Sequence, residues 1–148
     1  MSTFYEDRLP IGQHVIETHS VQRFRVFMQL VRDPSRKHPS IATVTGPAGT
    51  GKTIAHRSYI DMLPVRQDSV LPEAVSMKVA HRATGKAVAM DIGRALFDKL
   101  KARNASEAIG EVVLSIQRNN LKLLIVDEAD SLNEDSFEVL RSIFDWSG

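Results

Sequence analysis

Lys52 and Thr53 end the run Gly46-Pro47-Ala48-Gly49-Thr50-Gly51-Lys52-Thr53, which fills every fixed position of G-x-x-x-x-G-K-[ST]. The glycines let successive backbone N–H groups turn inward around a phosphate, in a conformation that a side chain would obstruct. Lys52 can reach the β- and γ-phosphates of a nucleotide, and Thr53 can offer its hydroxyl to Mg²⁺. A helix starting there would aim its positive end at the anion. A second chemical pair, Asp127 and Glu128, closes the apolar run Leu121-Lys122-Leu123-Leu124-Ile125-Val126. Asp127 suits the Mg²⁺ shell, and Glu128, one residue on, suits orienting and polarising an attacking water. The pattern implies ATP and Mg²⁺ as ligands. Residues Gly46 to Thr53 form the cradle, Thr53 and Asp127 the metal site, and Lys52 and Glu128 the catalytic pair.

Such residues need elements to hold them. Upstream of the loop, the β-branched run Ile41-Ala42-Thr43-Val44-Thr45 reads as a buried strand. Downstream, Thr53 to Met62 carries no Gly or Pro, and Pro64 then ends a helix. Leu123 to Val126 reads as a strand buried on both faces of a parallel sheet. Val75, Met77 and Val79 alternate with Ser76 and Lys78, the period of an edge strand with one polar face.

Four further helices are expected. Ser20 caps one with Val21, Phe24, Met28 and Val31 on a single face, ending before Pro34. Thr84 caps another carrying Val88, Ile92, Ala95, Leu96 and Leu100. Asn104 and Glu107 form a capping box ahead of Ile109, Val112, Val113 and Ile116. Asn133 caps a last helix bearing Phe137, Leu140 and Phe144. Residues 1–19 read as an irregular N-terminal segment, with a turn at Pro10-Ile11-Gly12, and residues 20–148 as one domain. Strands alternating with helices argue for an α/β fold, a mostly parallel sheet covered by helices.

Composition narrows the classes. A chain of 148 residues that is 43% hydrophobic and 25% charged can bury a real core. A net charge of +1 gives no global basic field to announce nucleic acid. The absence of cysteine excludes disulfide scaffolds and thiolate metal sites and suits a reducing cytoplasm. No apolar run approaches membrane-spanning length, and the start Met1-Ser2-Thr3-Phe4-Tyr5-Glu6-Asp7 lacks the shape of a signal peptide.

The loop motif and Val126-Asp127-Glu128-Ala129-Asp130 together resemble the AAA+ ATPases, within the P-loop NTPases that set a catalytic Glu beside the metal-binding Asp. The finer resemblance is to the transposition-helper ATPases, the TniB and TnsC type and the B protein of phage Mu. Three stretches carry it: Val15-Ile16-Glu17-Thr18, where these proteins approach the adenine; the loop itself; and Leu124 to Leu132 followed by Glu138-Val139-Leu140-Arg141. The resemblance implies a three-layer sandwich and ATP-dependent binding to double-stranded DNA. It also implies recruitment of a transposase, and self-assembly with nucleotide at subunit interfaces. Family members continue into a sensor strand, an interface arginine, a further strand and a helical lid, so the chain is expected to be a domain truncated before them. The sensor strand would lie between the loop strand and the Asp127 strand, so both should face an open slot.

Other readings compete. Another AAA+ switch, a secretion-linked ATPase or a replication loader, would use Lys52, Thr53, Asp127 and Glu128 identically, and a remnant that only holds nucleotide would keep the same loop. Asp-Glu-Ala-Asp alone does not make a helicase, because the RNA-contacting motifs of that family are missing between Lys52 and Asp127. Lys78, Arg82, Lys86, Arg94, Lys99, Lys101 and Arg103 cluster with Asp91 and Asp98 interspersed. By charge alone this is a solvated helix face, while the resemblance selects Lys78, Arg82 and Lys86 as DNA contacts. The basic stretch Arg32 to His38 reads as a solvated loop. His14, His19, His56 and His81 have no metal-ligand spacing and read as ordinary polar residues. Trp146 and the Phe137/Phe144 face read as core or as contacts to a further domain.

Overall fold

A computed structural model describes residues 18–32, 40–63, 73–96 and 99–147. Among the described residues, five helices and two strands follow one another as α1 (His19–Val31), α2 (Lys52–Asp61), β1 (Ala74–Lys78), α3 (Gly85–Ala95), α4 (Ala105–Arg118), β2 (Leu123–Asp127) and α5 (Glu134–Ser147). A single 3₁₀ turn, Ala129–Ser131, lies between β2 and α5. Strands β1 and β2 are parallel, running from Ala74 opposite Leu123 to Lys78 opposite Asp127. A parallel pair needs a long crossover, and here α3 and α4 supply it. The architecture is α/β, as expected of a P-loop NTPase domain.

Side chains alternate across a strand, and the register sorts this sheet into two faces. Val75 and Met77, with Leu124 and Val126 opposite, join the core made by Val88, Ile92, Val112, Val139 and Ile143. Lys78 and Asp127 project on the other face, where Asp127 meets α2. One face therefore stabilises the fold and the other presents chemistry.

Helix ends follow local hydrogen bonding. The Thr84 hydroxyl accepts from Ala87 N at 3.3 Å, and Asn104 Oδ1 accepts from Glu107 N at 2.9 Å. The Glu107 carboxylate reaches back to Asn104 Nδ2 and to Arg103 N, completing a capping box displaced by one residue. Asn133 Oδ1 caps α5 by accepting from Ser136 N at 2.8 Å. At α1 the cap is Thr18, accepting from Val21 N, and Ser20 lies inside the helix.

Several expectations are corrected. Residues 41–45 form no strand: Ile41 is 62% and Val44 44% exposed. No described strand runs beside them, and a β-branched run without a pairing partner has nothing to complete its ladder. For the same reason β2 is only half-buried along its whole length rather than covered on both faces. Helix α3 stops at Ala95, not at Leu100. Leu100 instead turns back over Gly93, where a Cβ would come within 2.5 Å of Leu100 Cγ. On α5 the buried residues are Ser136, Val139 and Ile143, while Phe137 and Trp146 are exposed. Ser136 is fully buried against the turn before α3, where its hydroxyl donates to Ala83 O. Pro64, Asp98 and residues 15–17, where the resemblance implies an approach to adenine, lie outside the described residues.

Candidate functional site

Two left-handed glycines shape the loop, Gly49 at φ 76° and Gly51 at φ 84°. A Cβ added at either would meet nothing within 4 Å. Packing therefore does not require glycine there; the backbone conformation does, and the space is free for a ligand. Gly51 is the N-cap of α2 without any side-chain hydrogen bond, so the first amides of α2 stay available to an anion. Thr50 Oγ1 donates to Pro47 O at 2.9 Å and ties the turn together. The Lys52 ammonium bridges two carbonyls of its own loop, Gly46 O at 2.7 Å and Pro47 O at 2.8 Å.

Thr53 Oγ1 donates to Asp127 Oδ2 at 3.0 Å across 74 residues of sequence. The first turn of α2 and the carboxyl end of β2 are thus brought together as the spacing of the motifs requires. Two hard oxygen donors converge there, the donor chemistry that Mg²⁺ takes. Asp127 Oδ1 accepts from Glu128 N at 3.0 Å, which orients the carboxylate.

Glu128 is held in the left-handed region at φ 56° and ψ 39°. A non-glycine residue there costs about 1–2 kcal/mol, and such outliers concentrate at functional positions. Its carboxylate pairs with Lys78 Nζ at 2.8 Å, a contact that sequence alone did not suggest. That hydrogen bond, and then the Glu128 charge, raise the Lys78 pKa above its ordinary value. His56, read from the sequence only as an ordinary polar residue, is buried in α2, 5% exposed. Burial lowers its pKa, the Asp127 charge opposes that shift, and Arg57 reinforces it. Its place one turn after Thr53, on the inward face of α2, was the available signal.

A cleft of about 460 Å³ lies between α1 and the loop, lined by Arg23, Phe24 and Phe27 on one side and by Gly46, Gly51 and Lys52 on the other. Thr53, Asp127 and Glu128 do not line it. Helix α1 is braced against α2 by Phe24 edge-on to Tyr59, with ring centroids 6.3 Å apart. Arg32 adds a 2.6 Å ion pair to Glu73 and a 3.1 Å hydrogen bond to the Tyr59 hydroxyl. Arg32 was expected in a solvated loop, and instead it knits α1, α2 and the entry to β1.

Of the expected DNA contacts, Lys78 is engaged by Glu128, and Lys86 Nζ donates to Arg103 O at 2.7 Å. Arg82 sits at φ 55° in the turn between β1 and α3. This turn is clamped to the start of α5. Ala83 O accepts from the Ser136 hydroxyl and from Asn133 Nδ2, and Gly85 N donates to Asp135 Oδ2 at 2.7 Å.

A family model described as an AAA domain matches residues 35–147, some three-quarters of the chain. The chain belongs to the AAA domain family. AAA domains are nucleotide-binding ATPase domains, and the phosphate loop, Thr53, Asp127 and Glu128 all fall within the matched span. A search of curated proteins gives this AAA domain no match. None of its described helices is long and apolar enough to cross a membrane.

Proposed function

We infer that this AAA domain binds ATP with Mg²⁺ and hydrolyses it, and that the nucleotide state governs assembly on double-stranded DNA in the manner of a transposition helper. The 3.0 Å bond between Thr53 and Asp127 carries the ATPase reading, because it joins the two motifs at one point beside an open phosphate loop. Lys52 would leave its own carbonyls for the β- and γ-phosphates, and the amides at the start of α2 would take the remaining phosphate oxygens. Thr53 and Asp127 would hold Mg²⁺, which when bound would supply charge neutralisation at the phosphates. Glu128, released from Lys78, orients the attacking water. Lys52→Ala should abolish tight ATP binding, while Glu128→Gln should keep binding and stop turnover. Wild-type turnover in the Gln variant would refute the role of Glu128.

The DNA and transposase part of the reading rests on the resemblance of the motifs and on where Lys78, Arg82 and Lys86 lie. All three belong to the strand end, turn and helix start that are clamped to the segment after Glu128. A duplex backbone engaging that turn would act next to the catalytic carboxylate, and a transposase would read the assembly so formed. Charge reversal at Arg82 and Lys86 should weaken duplex binding and flatten its salt dependence. An unchanged salt titration would leave only the ATPase reading standing.

A further inference from the structure

The segment Lys99-Leu100-Lys101, ahead of α4, is fastened at two points. Leu100 turns inward over Gly93, and Lys101 N donates to the Glu111 carboxylate at 2.8 Å. The Lys99 and Lys101 side chains are left exposed, and neither ammonium has a carboxylate partner among the described residues. A groove of about 290 Å³ runs between these lysines and the outer side of α4, where Glu111, Leu114 and Arg118 line it. Glu111 is the only carboxylate among the lining residues, and it is committed to the Lys101 amide. Leu114 is 63% exposed. A lone surface leucine is ordinary, but Gly110 stands one turn before it on the same face. Glycine inside a helix is destabilising relative to alanine. Yet a Cβ at Gly110 would meet nothing within 4 Å, and its φ is not positive. Neither the packing nor the backbone conformation of this chain calls for glycine there. It leaves bare backbone beside an apolar anchor, where a second helix can approach closely.

We propose that the outer side of α4, with Lys99 and Lys101, is a docking groove for an acidic amphipathic helix of a partner protein. An apolar side chain of that helix seats over Gly110 and beside Leu114, and its flanking carboxylates pair with the two lysines. The groove is just under the range of small-molecule sites, which suits inserted side chains rather than a whole ligand. Duplex DNA fits it poorly: a phosphate backbone has nothing apolar to cover Leu114 and would meet the Glu111 carboxylate. The groove shares no residue with the phosphate loop, with Thr53, Asp127 and Glu128, or with Lys78, Arg82 and Lys86. The inference therefore goes beyond the nucleotide and DNA reading and does not depend on it.

The test selects, on the full chain, from a display library of helical peptides with apolar residues at i, i+3 and i+4 and random charged residues between them. A recovered peptide is then labelled and its Kd read by fluorescence anisotropy. Recovered peptides should be rich in Asp and Glu. Gly110→Leu, which has room for its side chain in the free protein, should weaken the peptide roughly tenfold by blocking the approach. Lys99→Glu combined with Lys101→Glu should also weaken it roughly tenfold and flatten its salt dependence. The thermal midpoint should fall in neither variant, since both changes face open space. Recovery of basic or uncharged peptides, recovery of none, or peptides indifferent to either variant would overturn the proposal. So would a short DNA duplex that loses affinity in the lysine variant while no acidic peptide is recovered. Self-association by sedimentation that both variants abolish would make a second copy the occupant, and would overturn it too.

Discussion

The Thr53–Asp127 bond can be removed from either side. Thr53→Val keeps the shape and deletes the hydroxyl; Asp127→Ala deletes the acceptor. A hydrogen bond to a charged group contributes about 1.5–3 kcal/mol when well buried. Both residues here are half-exposed, so about 1 kcal/mol is the appropriate expectation. In a domain of this size that is a fall in Tm of roughly 2–4 °C per variant. The double variant should be no worse than the sum less about 1 kcal/mol, the coupling energy of a double-mutant cycle. Calorimetric unfolding without nucleotide gives the cycle, and a Mg²⁺ titration of ATP binding adds a second readout. Thr53→Ser should preserve both, while Thr53→Val should lose the Mg²⁺ dependence of binding. Strictly additive unfolding free energies, or unaltered Mg²⁺ dependence in Thr53→Val, would refute the joining of the two motifs at this bond.

Two other perturbations test the fold and its pH response. Ile92, fully buried between β1, α4 and α5, should cost about 2–5 kcal/mol as Ile92→Ala, seen as a lowered urea midpoint, and a change within 0.5 kcal/mol would displace the core from this position. Burial holds the folded His56 pKa below its ordinary 6.5, so the unfolded chain binds more protons as the pH falls through that value. Stability should therefore be full above pH 6.5, decline below it, and level off once the folded state is also protonated. A Tm profile from about pH 8 to about pH 5 should be flatter in His56→Gln than in the wild type, and identical profiles would remove His56 as the source.

Local chemistry was the legible part of this chain. The caps at Thr84, Asn104 and Asn133 each depend on residues within three positions, and the phosphate loop is a contiguous string. Most of what sequence reading missed depends on partners distant in the chain. The run 41–45 has strand composition, but a strand exists only by pairing, and no described strand pairs with it. Thr18 and Ser20 are equivalent cap chemistries two residues apart, and the apolar period of α1 does not choose between them. On α5 the sequence singles out Phe137, Leu140 and Phe144, whereas the buried residues include Ser136, bonded to Ala83 O, and Val139, pressed on Gly85: a Cβ there would lie 2.6 Å from Val139 Cγ2. The Lys78–Glu128 pair joins the ends of two strands and became visible only once their register was known.

The main hydrophobic cluster draws its buried members from residues 75–143 and takes none from α1 or α2. Stability in such a molecule is distributed in cooperative units that open independently. The amides of α3, α4 and α5 should exchange with solvent only on global unfolding, and those of α1 and α2 through cheaper local openings. The two ligand-holding motifs fall on opposite sides of that division, Lys52 and Thr53 in the weaker unit and Asp127 and Glu128 in the stronger. A ligand that touches both binds only when the two units are docked, and so protects the weaker one by mass action. Nucleotide binding in this protein is thereby also a folding event for α1 and α2, and hydrogen exchange would record it as slowed opening of those two helices alone.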